Sequence, residues 1–191
     1  MNTKMNLLRA FAGECQARMR YEMAASVAKK QKLPIIEQLF TFTANQEKEH
    51  AEIFYNHLKT TFGEENISME ADYPVDIQDD LVYLLQKAAE HEEEEATTVY
   101  TQFGTEAKEE GYADVASSFM MIADIEKFHQ ERFLKYKQLL ETGSLFTGNA
   151  TQGWMCLNCG FIYEGNSAPE ICPVCKHEQG YFIKLEEAPY Q

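Results

Sequence analysis

The chain has 191 residues, 45% of them hydrophobic, and a formal net charge of −14 at pH 7. This acidic balance argues against nucleic acid and anionic membranes as main partners, because binding to phosphates requires clustered lysine and arginine. There is no run of about 18 apolar residues, so no transmembrane helix is predicted, and without a signal-peptide pattern the cytoplasm is the expected location.

The first 140 residues are predicted to be helical, because proline and glycine are scarce and apolar residues recur at spacings of three and four. The predicted helices lie at residues 3–30, 34–60, 77–110 and 113–141. Gly104 is a candidate for an interruption in the third helix. A long polar connection at residues 63–76 joins the second helix to the third, whereas the other connections are short. The expected fold is an all-α four-helix bundle with one long crossover connection.

The composition changes after the fourth helix. Residues 142–153 are rich in glycine, threonine and serine, and are predicted to link a helical domain at residues 1–141 to a small domain of short strands and loops at residues 154–191. A domain of about 38 residues cannot bury enough apolar surface to be stable alone. The small domain is therefore expected to contain a stabilising cross-link or metal ion.

Four of the five cysteines form two C-x-x-C pairs in the small domain, namely Cys156, Cys159, Cys172 and Cys175. Two tight turns that bring four thiolates together favour a tetrahedral zinc or iron ion, whereas two disulfides would require an oxidising compartment. With Trp154 before the first cysteine, Gly160 after the second and Pro173 after the third, the segment resembles rubredoxin. That resemblance implies a single iron that carries one electron, with structural zinc as the alternative.

Each predicted helix carries at least one glutamate within its apolar stripe, since positions three, four or seven apart share a face. The inward set is Glu14, Glu47, His50, Glu92, Glu95, Glu126 and His129. Five buried carboxylates would repel one another and raise each other's pKa values unless cations compensated them. Two iron ions would bring four or six positive charges, and oxygen ligands with two imidazoles suit iron or manganese better than zinc.

The order of these residues along the chain is that of a di-iron carboxylate site. One helix pair supplies single glutamates, and each of the other two helices supplies an E-x-x-H motif, Glu47 with His50 and Glu126 with His129. Within the acidic run at residues 91–95, periodicity favours Glu92 and Glu95 over the two glutamates between them. His91 falls outside the inward face and is predicted not to be a ligand.

Over essentially its whole length the sequence resembles the rubrerythrin family. The resemblance is carried by AFAGECQARMRY (10–21), QEKEH (46–50), AAEHEEEEATTVY (88–100), IEKFH (125–129) and the rubredoxin-like segment that follows. It implies a ferritin-like di-iron bundle whose ligands are the seven residues of the inward set, with Glu14 bridging the two irons. It also implies that one of these irons exchanges His50 for Glu95 as its oxidation state changes.

The same resemblance implies a homodimeric peroxidase that protects against oxidative stress by reducing hydrogen peroxide to water. Electrons from rubredoxin or an NAD(P)H-dependent reductase would arrive through the iron of the four cysteines and pass to the di-iron site. Two other functions are open: a ferritin-like ferroxidase or iron store, and a helical domain with a structural zinc ribbon for interactions. The rubredoxin-like segment and Glu95 favour the peroxidase, because an iron store needs no one-electron relay.

Overall fold

The computed structural model describes residues 2–189 and contains a long helical bundle followed by a small sheet. The helices are α1 (Thr3–Lys30), α2 (Pro34–Phe62), α3 (Leu81–Glu94), α4 (Tyr100–Glu109) and α5 (Ala113–Glu141). One turn of π-helix, Glu95–Val99, joins α3 to α4, so that these two form a single rod. α1 packs along α2, and α5 packs along the α3–α4 rod. The predicted four-helix bundle with a long crossover, at residues 63–80, is confirmed.

The ends of the helices follow local chemistry. α1 ends at Lys30, two residues before Lys32, which has a left-handed backbone conformation (φ 59°). α2 begins with Pro34, and proline is favoured in the first turn because an N–H at that position would have no partner within the helix. The third helix was expected to begin at residue 77, but it begins at Leu81. The reason is Asp80, whose side chain accepts hydrogen bonds from the N–H groups of Val82 (2.9 Å) and Tyr83 (3.2 Å), as an N-cap does.

The third helix is not interrupted at Gly104, which lies within α4. This glycine instead allows α4 to approach α5 closely, since an added Cβ would lie 3.0 Å from Met120 Sδ and 3.3 Å from the carbonyl oxygen of Ala116. The irregular part of the rod is instead the π turn, which begins at Glu95, nine residues before Gly104. Such turns insert one extra residue and occur often at functional sites.

The apolar core of the bundle forms two clusters, one towards each end. One contains Tyr21, Phe40 and Phe133, and the other contains Phe54 and Phe119. The glutamates of the inward set lie along the helices between these clusters. The bundle therefore places its polar centre between two layers of aromatic side chains.

The small domain is a three-stranded antiparallel sheet of order β2–β1–β3, with strands β1 (Thr147–Cys156), β2 (Ile162–Ser167) and β3 (Phe182–Lys184). Its core consists of Trp154, Ala168, Phe182 and two of the cysteines, Cys156 and Cys172. β1 begins inside the segment that was expected to be a linker, and the division into domains at 141 and 154 stays a prediction. Among residues 2–189, no helix is both long enough and apolar enough to cross a membrane.

Candidate metal centres

Six acidic and imidazole side chains converge in the middle of the bundle. Glu14 comes from α1, Glu47 and His50 from α2, Glu92 from the end of α3, and Glu126 and His129 from α5. The exposed fraction of the most exposed of them, His50, is 5%. Carboxylates are rarely buried to this degree unless a partner compensates their charge.

The six side chains form two overlapping groups of four. The first contains Glu14, Glu47, His50 and Glu126, and the second contains Glu47, Glu92, Glu126 and His129. Within each group one donor atom from every residue lies within 4.8 Å of all the others. His50 Nδ1 is 2.9 Å from both Glu47 Oε2 and Glu126 Oε1, and His129 Nδ1 is 2.7 Å from Glu126 Oε2. The arrangement provides two adjacent positions for cations.

The carboxylates that belong to both groups are Glu47 and Glu126. The expectation that Glu14 bridges two irons stays a prediction, and this geometry favours Glu47 and Glu126 for that role, because Glu14 belongs to the first group alone. Its counterpart in the second group is Glu92. The helices of the two E-x-x-H motifs face each other across the site, so their glutamates reach both positions, whereas Glu14 and Glu92 approach from opposite sides.

The donor atoms of these groups fit metal ions. Both carboxylate oxygens of Glu47 and of Glu126, one each of Glu14 and Glu92, and Nδ1 of both histidines are buried without a hydrogen-bond partner among the described residues. Buried polar atoms in folded proteins are almost always paired. Their concentration at one place, with lone pairs directed at a common centre, is what a site for two oxygen-preferring metal ions requires.

Two tyrosines hold the outer carboxylates. Tyr100 Oη donates a hydrogen bond of 2.6 Å to Glu14 Oε1, and Tyr21 Oη donates one to Glu92 Oε1. Each tyrosine engages one oxygen and leaves the other, Oε2, without a partner among the described residues. Hydrogen bonds of this kind orient metal ligands. Sequence reasoning did not assign either tyrosine a role, although Tyr21 lies on the same face of α1 as Glu14.

The electrostatics of the metal-free site are those of crowded carboxylates. Burial, reinforced by Glu126 and Glu47, raises the pKa of Glu14 well above its ordinary value, and burial with Glu47 does the same to the pKa of Glu92. Burial opposes protonation of His50, but the negative charges of Glu126 and Glu47, whose oxygens lie 2.9 Å from its Nδ1, outweigh it and raise its pKa to about 9. Without metal the site therefore retains protons, which cations must displace on binding.

Glu95 stands apart from the two groups. It is the first residue of the π turn, and its side chain is partly buried, whereas those of Glu93 and Glu94 are exposed. A Cβ at Gly13 of α1 would lie 3.9 Å from Glu95 Oε1. Burial, together with Glu126 and Glu47, raises the pKa of Glu95 to about 8. The carboxylate of Glu95 is thus close enough to Glu126 and Glu47 for their charges to raise its pKa. Its role as a seventh ligand stays a prediction.

His91, which was predicted not to be a ligand, lies outside both groups. Its Nε2 is 3.2 Å from Asp76 Oδ2, and its Nδ1 contacts the guanidinium group of Arg20. Asp76 belongs to the crossover connection. His91 therefore ties this connection to the bundle.

The four cysteines of the small domain also converge. Cys156 Sγ is 3.7 Å from Cys175 Sγ, and Cys159 Sγ is 3.7 Å from Cys172 Sγ. All four sulfurs lie within 4.8 Å of one another, and none forms a disulfide. With metal–sulfur bonds of about 2.3 Å, the edge of a tetrahedron is about 3.8 Å, so the spacing fits a single tetrahedral ion.

Two similar turns present these sulfurs. The N–H of Gly160 donates to Cys156 O at 2.8 Å, and the N–H of Lys176 donates to Cys172 O at 3.0 Å. Both donors are left-handed, with φ of 74° for Gly160 and 64° for Lys176. Glycine adopts this conformation without strain, which is why the sequence signalled the first turn more strongly than the second.

Comparisons with known proteins agree with both sites. The family described as "Rubrerythrin" matches residues 5–137, and "Rubrerythrin, rubredoxin-like domain" matches residues 154–183. A rubrerythrin of Clostridium perfringens is 43% identical over 185 residues, covering 97% of this chain and 95% of its own length. A rubrerythrin of Nitratidesulfovibrio vulgaris is 38% identical over 183 residues, covering 96% and 94%.

Solved structures show the same architecture. Nigerythrin in a mixed-valence state superposes with a TM-score of 0.64 at 27% identity, covering 95% of this chain and 86% of its own. A bacterioferritin of Desulfovibrio desulfuricans, whose di-iron site was studied in different catalytic states, has a TM-score of 0.66 at 20% identity, which shows the shared helical fold alone. The donor sets described above match two iron ions in the bundle and one at the cysteines.

Proposed function

The chain belongs to the rubrerythrin family, and from that premise we propose that it is a peroxidase that reduces hydrogen peroxide to water and so protects against oxidative stress. When bound, the iron of the cysteines would accept electrons one at a time, and the iron pair would supply two electrons to the peroxide. The side chains around these sites would hold the iron ions and orient their ligands.

The observation that carries this proposal is the presence of both donor sets in one chain. Four buried carboxylates and two histidines form two adjacent cation positions, and a four-cysteine site of rubredoxin type follows them in the sequence. A ferroxidase or iron store needs the first set but not the second. A structural zinc ribbon would explain the second set but not the first.

The side chains of the bundle have distinct proposed tasks. Glu47 and Glu126, which belong to both groups, would hold the two irons at a fixed separation. Tyr100 and Tyr21 would keep Glu14 and Glu92 as outer ligands. Glu95 is the carboxylate that would replace His50 at the first position on oxidation, because a ferric ion prefers an anionic oxygen ligand to neutral imidazole.

The proposed homodimer is supported by a groove on the bundle that carries two exposed phenylalanines among polar side chains. The groove has a volume of about 1480 Å³ and lies between α2, α5 and the small domain. Phe42 and Phe128 line it with exposed fractions of 56% and 66%. Large exposed apolar patches mark interaction sites, and a second copy of the chain is the proposed occupant. Sedimentation equilibrium should show a dimer that Phe128→Glu converts to a monomer.

The proposed electron donor is rubredoxin or an NAD(P)H-dependent reductase, and the small domain has a surface suited to it. Cys159 is exposed, and Ile171 and Val174, beside the second cysteine pair, are 57% and 61% exposed. An exposed ligand sulfur with an apolar surround permits close approach of a redox partner. We place donor docking at this surface.

The test is a stopped-flow experiment on the fully reduced, iron-loaded protein. One equivalent of hydrogen peroxide should oxidise the iron pair within the mixing time or shortly after it, and the red colour of oxidised rubredoxin-type iron should follow. Dioxygen at the same concentration should act more slowly. A protein that reacts rapidly with dioxygen, ignores peroxide and accumulates ferric mineral would instead be a ferroxidase.

A further inference from the structure

A cavity of about 400 Å³ lies between α1, the crossover connection and the α3–α4 rod. The connection forms its outer wall. Tyr73 Oη donates to the carbonyl oxygen of Arg9 at 3.2 Å, and Gln16 Nε2 donates to the carbonyl oxygen of Pro74 at 3.0 Å. Among the seven predicted di-iron ligands, Glu95 alone lines this cavity. The cavity therefore meets the candidate di-iron site at Glu95.

The two ends of the cavity differ in their lining, and one end is more apolar than the other. Since α1 and the α3–α4 rod run in opposite directions, the later residues of α1 face the earlier residues of the rod. Arg20 of α1 contacts His91 at one end, and Gly13 faces Glu95 in the middle. Towards the other end, the lining side chains include Ala10, Val99 and Phe103, together with Arg9, whose side chain is exposed.

The polar end is unsuited to an apolar group. Arg20 is 8% exposed, and its Nε has no hydrogen-bond partner within the described part of the chain. A buried donor of this kind costs free energy unless a polar group or water reaches it. A ligand that carries carbon is therefore directed towards Ala10, Val99 and Phe103.

The cavity is much larger than hydrogen peroxide requires. A water molecule occupies about 30 Å³ in the liquid, and hydrogen peroxide has only one oxygen atom more. Pockets of about 300–1,000 Å³ are typical of sites for small organic molecules. Along α1 the lining runs from Arg9 to Arg20, which at about 1.5 Å per residue is roughly 16 Å.

We propose that this cavity binds small alkyl hydroperoxides, with the hydroperoxy group at Glu95 and the alkyl group against Ala10, Val99 and Phe103, so that the protein reduces them as well as hydrogen peroxide. The inference rests on the proposed peroxidase function and extends its substrate class. The mixed lining supports it, since polar side chains surround the reacting end and apolar ones the substituent.

The reaction balances as the two-electron reduction of a hydroperoxide. The O–O bond breaks, the oxygen attached to carbon takes one proton to give the alcohol, and the distal oxygen takes another with its own hydrogen to give water. The two electrons come from a one-electron donor such as reduced rubredoxin, in two transfers through the cysteine-bound iron. Tert-butyl hydroperoxide would thus yield one tert-butanol and one water for every two electrons.

The first measurement compares substrates on the iron-loaded protein with one electron donor. Tert-butyl hydroperoxide should be reduced with kcat/KM within about a hundredfold of that for hydrogen peroxide, and tert-butanol should form in the stated ratio. Val99→Phe should lower the ratio of these kcat/KM values at least tenfold by filling the apolar end. Val99→Ala should move the preference in the opposite direction, towards the bulkier cumene hydroperoxide. Thr98→Phe, at an exposed neighbouring position outside the cavity, should leave the ratio unchanged.

The second measurement does not depend on turnover. Tert-butanol, the unreactive product, should bind near the paramagnetic irons of the reduced protein, so its methyl proton resonance should broaden. Val99→Phe should abolish most of this broadening, and Thr98→Phe should retain it. A folded Val99→Phe variant that retains both the broadening and the substrate ratio would overturn the assignment of the apolar end.

The outcomes separate this inference from the proposed function. Reduction of hydrogen peroxide without detectable reduction of tert-butyl hydroperoxide, and without broadening of tert-butanol, would overturn the inference and leave the peroxidase proposal intact. Reduction of neither substrate would overturn both activities. Reduction of both with the expected variant effects would establish the wider substrate class.

Discussion

The hydrogen bond from Tyr100 to Glu14 gives a direct test of how this bundle holds metal. Tyr100→Phe removes one hydroxyl group and leaves the ring in its place between Phe54 and Phe119, whose centroids lie 5.4 Å and 5.8 Å away. Both ends of the 2.6 Å bond are buried, with Glu14 0% and Tyr100 1% exposed. The substitution therefore isolates the hydrogen bond from packing.

The size of the effect depends on whether Glu14 is charged. With metal bound, Glu14 is an anion, and a hydrogen bond to a charged group contributes about 1.5–3 kcal/mol. Without metal, burial and the neighbouring carboxylates raise the pKa of Glu14 well above its ordinary value, so the bond joins neutral groups and contributes about 1 kcal/mol. The variant should consequently lose about 0.5–2 kcal/mol of metal-binding free energy, which is about twofold to thirtyfold in affinity, and about 1 kcal/mol of stability when metal-free.

The assay is competition for ferrous iron or manganese with a chelator of known affinity, under anaerobic conditions, together with urea unfolding of the metal-free protein. Tyr55→Phe is the matched control, because Tyr55 lies on α2 with 52% of its surface exposed. Equal metal affinity for Tyr100→Phe and Tyr55→Phe would refute the claim that Tyr100 positions a ligand. A large loss of metal-free stability with unchanged affinity would mean that the hydroxyl serves folding instead.

Three further predictions follow from the same geometry. Glu95→Ala should lower peroxide turnover at least about tenfold, roughly 1.4 kcal/mol in the barrier, and should slow oxidation by dioxygen less. Glu93→Ala, at an exposed position, should change neither rate. Stopped-flow traces with each oxidant measure both rates, and a loss of peroxide turnover in Glu93→Ala alone would mean that the wrong glutamate was assigned. Verified chelation of both metal sites should lower the melting temperature by many degrees, since ligands that bind only the folded state stabilise it; an unchanged calorimetric transition would contradict the clustering of the carboxylates. The metal-free protein should be most stable at roughly pH 5. The pKa of His50 is raised from 6.5 to about 9 and that of Glu95 from 4.5 to about 8, so the stability that these two groups contribute at low pH is lost as the pH rises through the raised pKa values. The pKa of Glu126 is lowered from 4.5 to about 2, so its contribution is lost as the pH falls from 4.5 towards 2. Urea unfolding at pH 3, 5, 7 and 9 checks this, and stability that increases from pH 5 to pH 9 would show that the signs are wrong.

The helices and the convergence of the inward set could be predicted because both follow from helical periodicity. α1 and α5 begin and end at the expected residues, and burial of Glu14, Glu47, Glu92 and Glu126 agrees with the phase of their apolar neighbours. Periodicity within one helix suffices for such statements. It also separates Glu92 from the exposed Glu93 and Glu94.

What the sequence could not supply depends on contacts between elements. Whether Glu14 or Glu47 is shared by both cation positions is decided by where α1 and α2 lie relative to α5, which no single-helix pattern contains. The hydrogen bond from Tyr100 to Glu14 joins residues 86 positions apart. The start of β1 was missed for a different reason, since the glycine and threonine of residues 147–153 do not form an apolar pattern and this part of the strand depends on pairing with β2.

The π turn has a consequence for which changes of chain length this helix tolerates. Glu92 and Tyr100 are eight positions apart, and on an uninterrupted α-helix they would point about 80° away from each other, at about 100° per residue. The extra residue of the π turn leaves an effective separation of seven, or about 20°, so that both side chains face the same centre. Deleting one residue between Glu95 and Val99 would relieve the turn and leave Glu92 and Tyr100 seven positions apart on a regular helix, still within about 20° of each other, whereas a deletion between Leu81 and Glu92 would rotate one part of the rod against the other by about 100°. The rod can thus lose a residue from its π turn more easily than from the regular turns on either side of it.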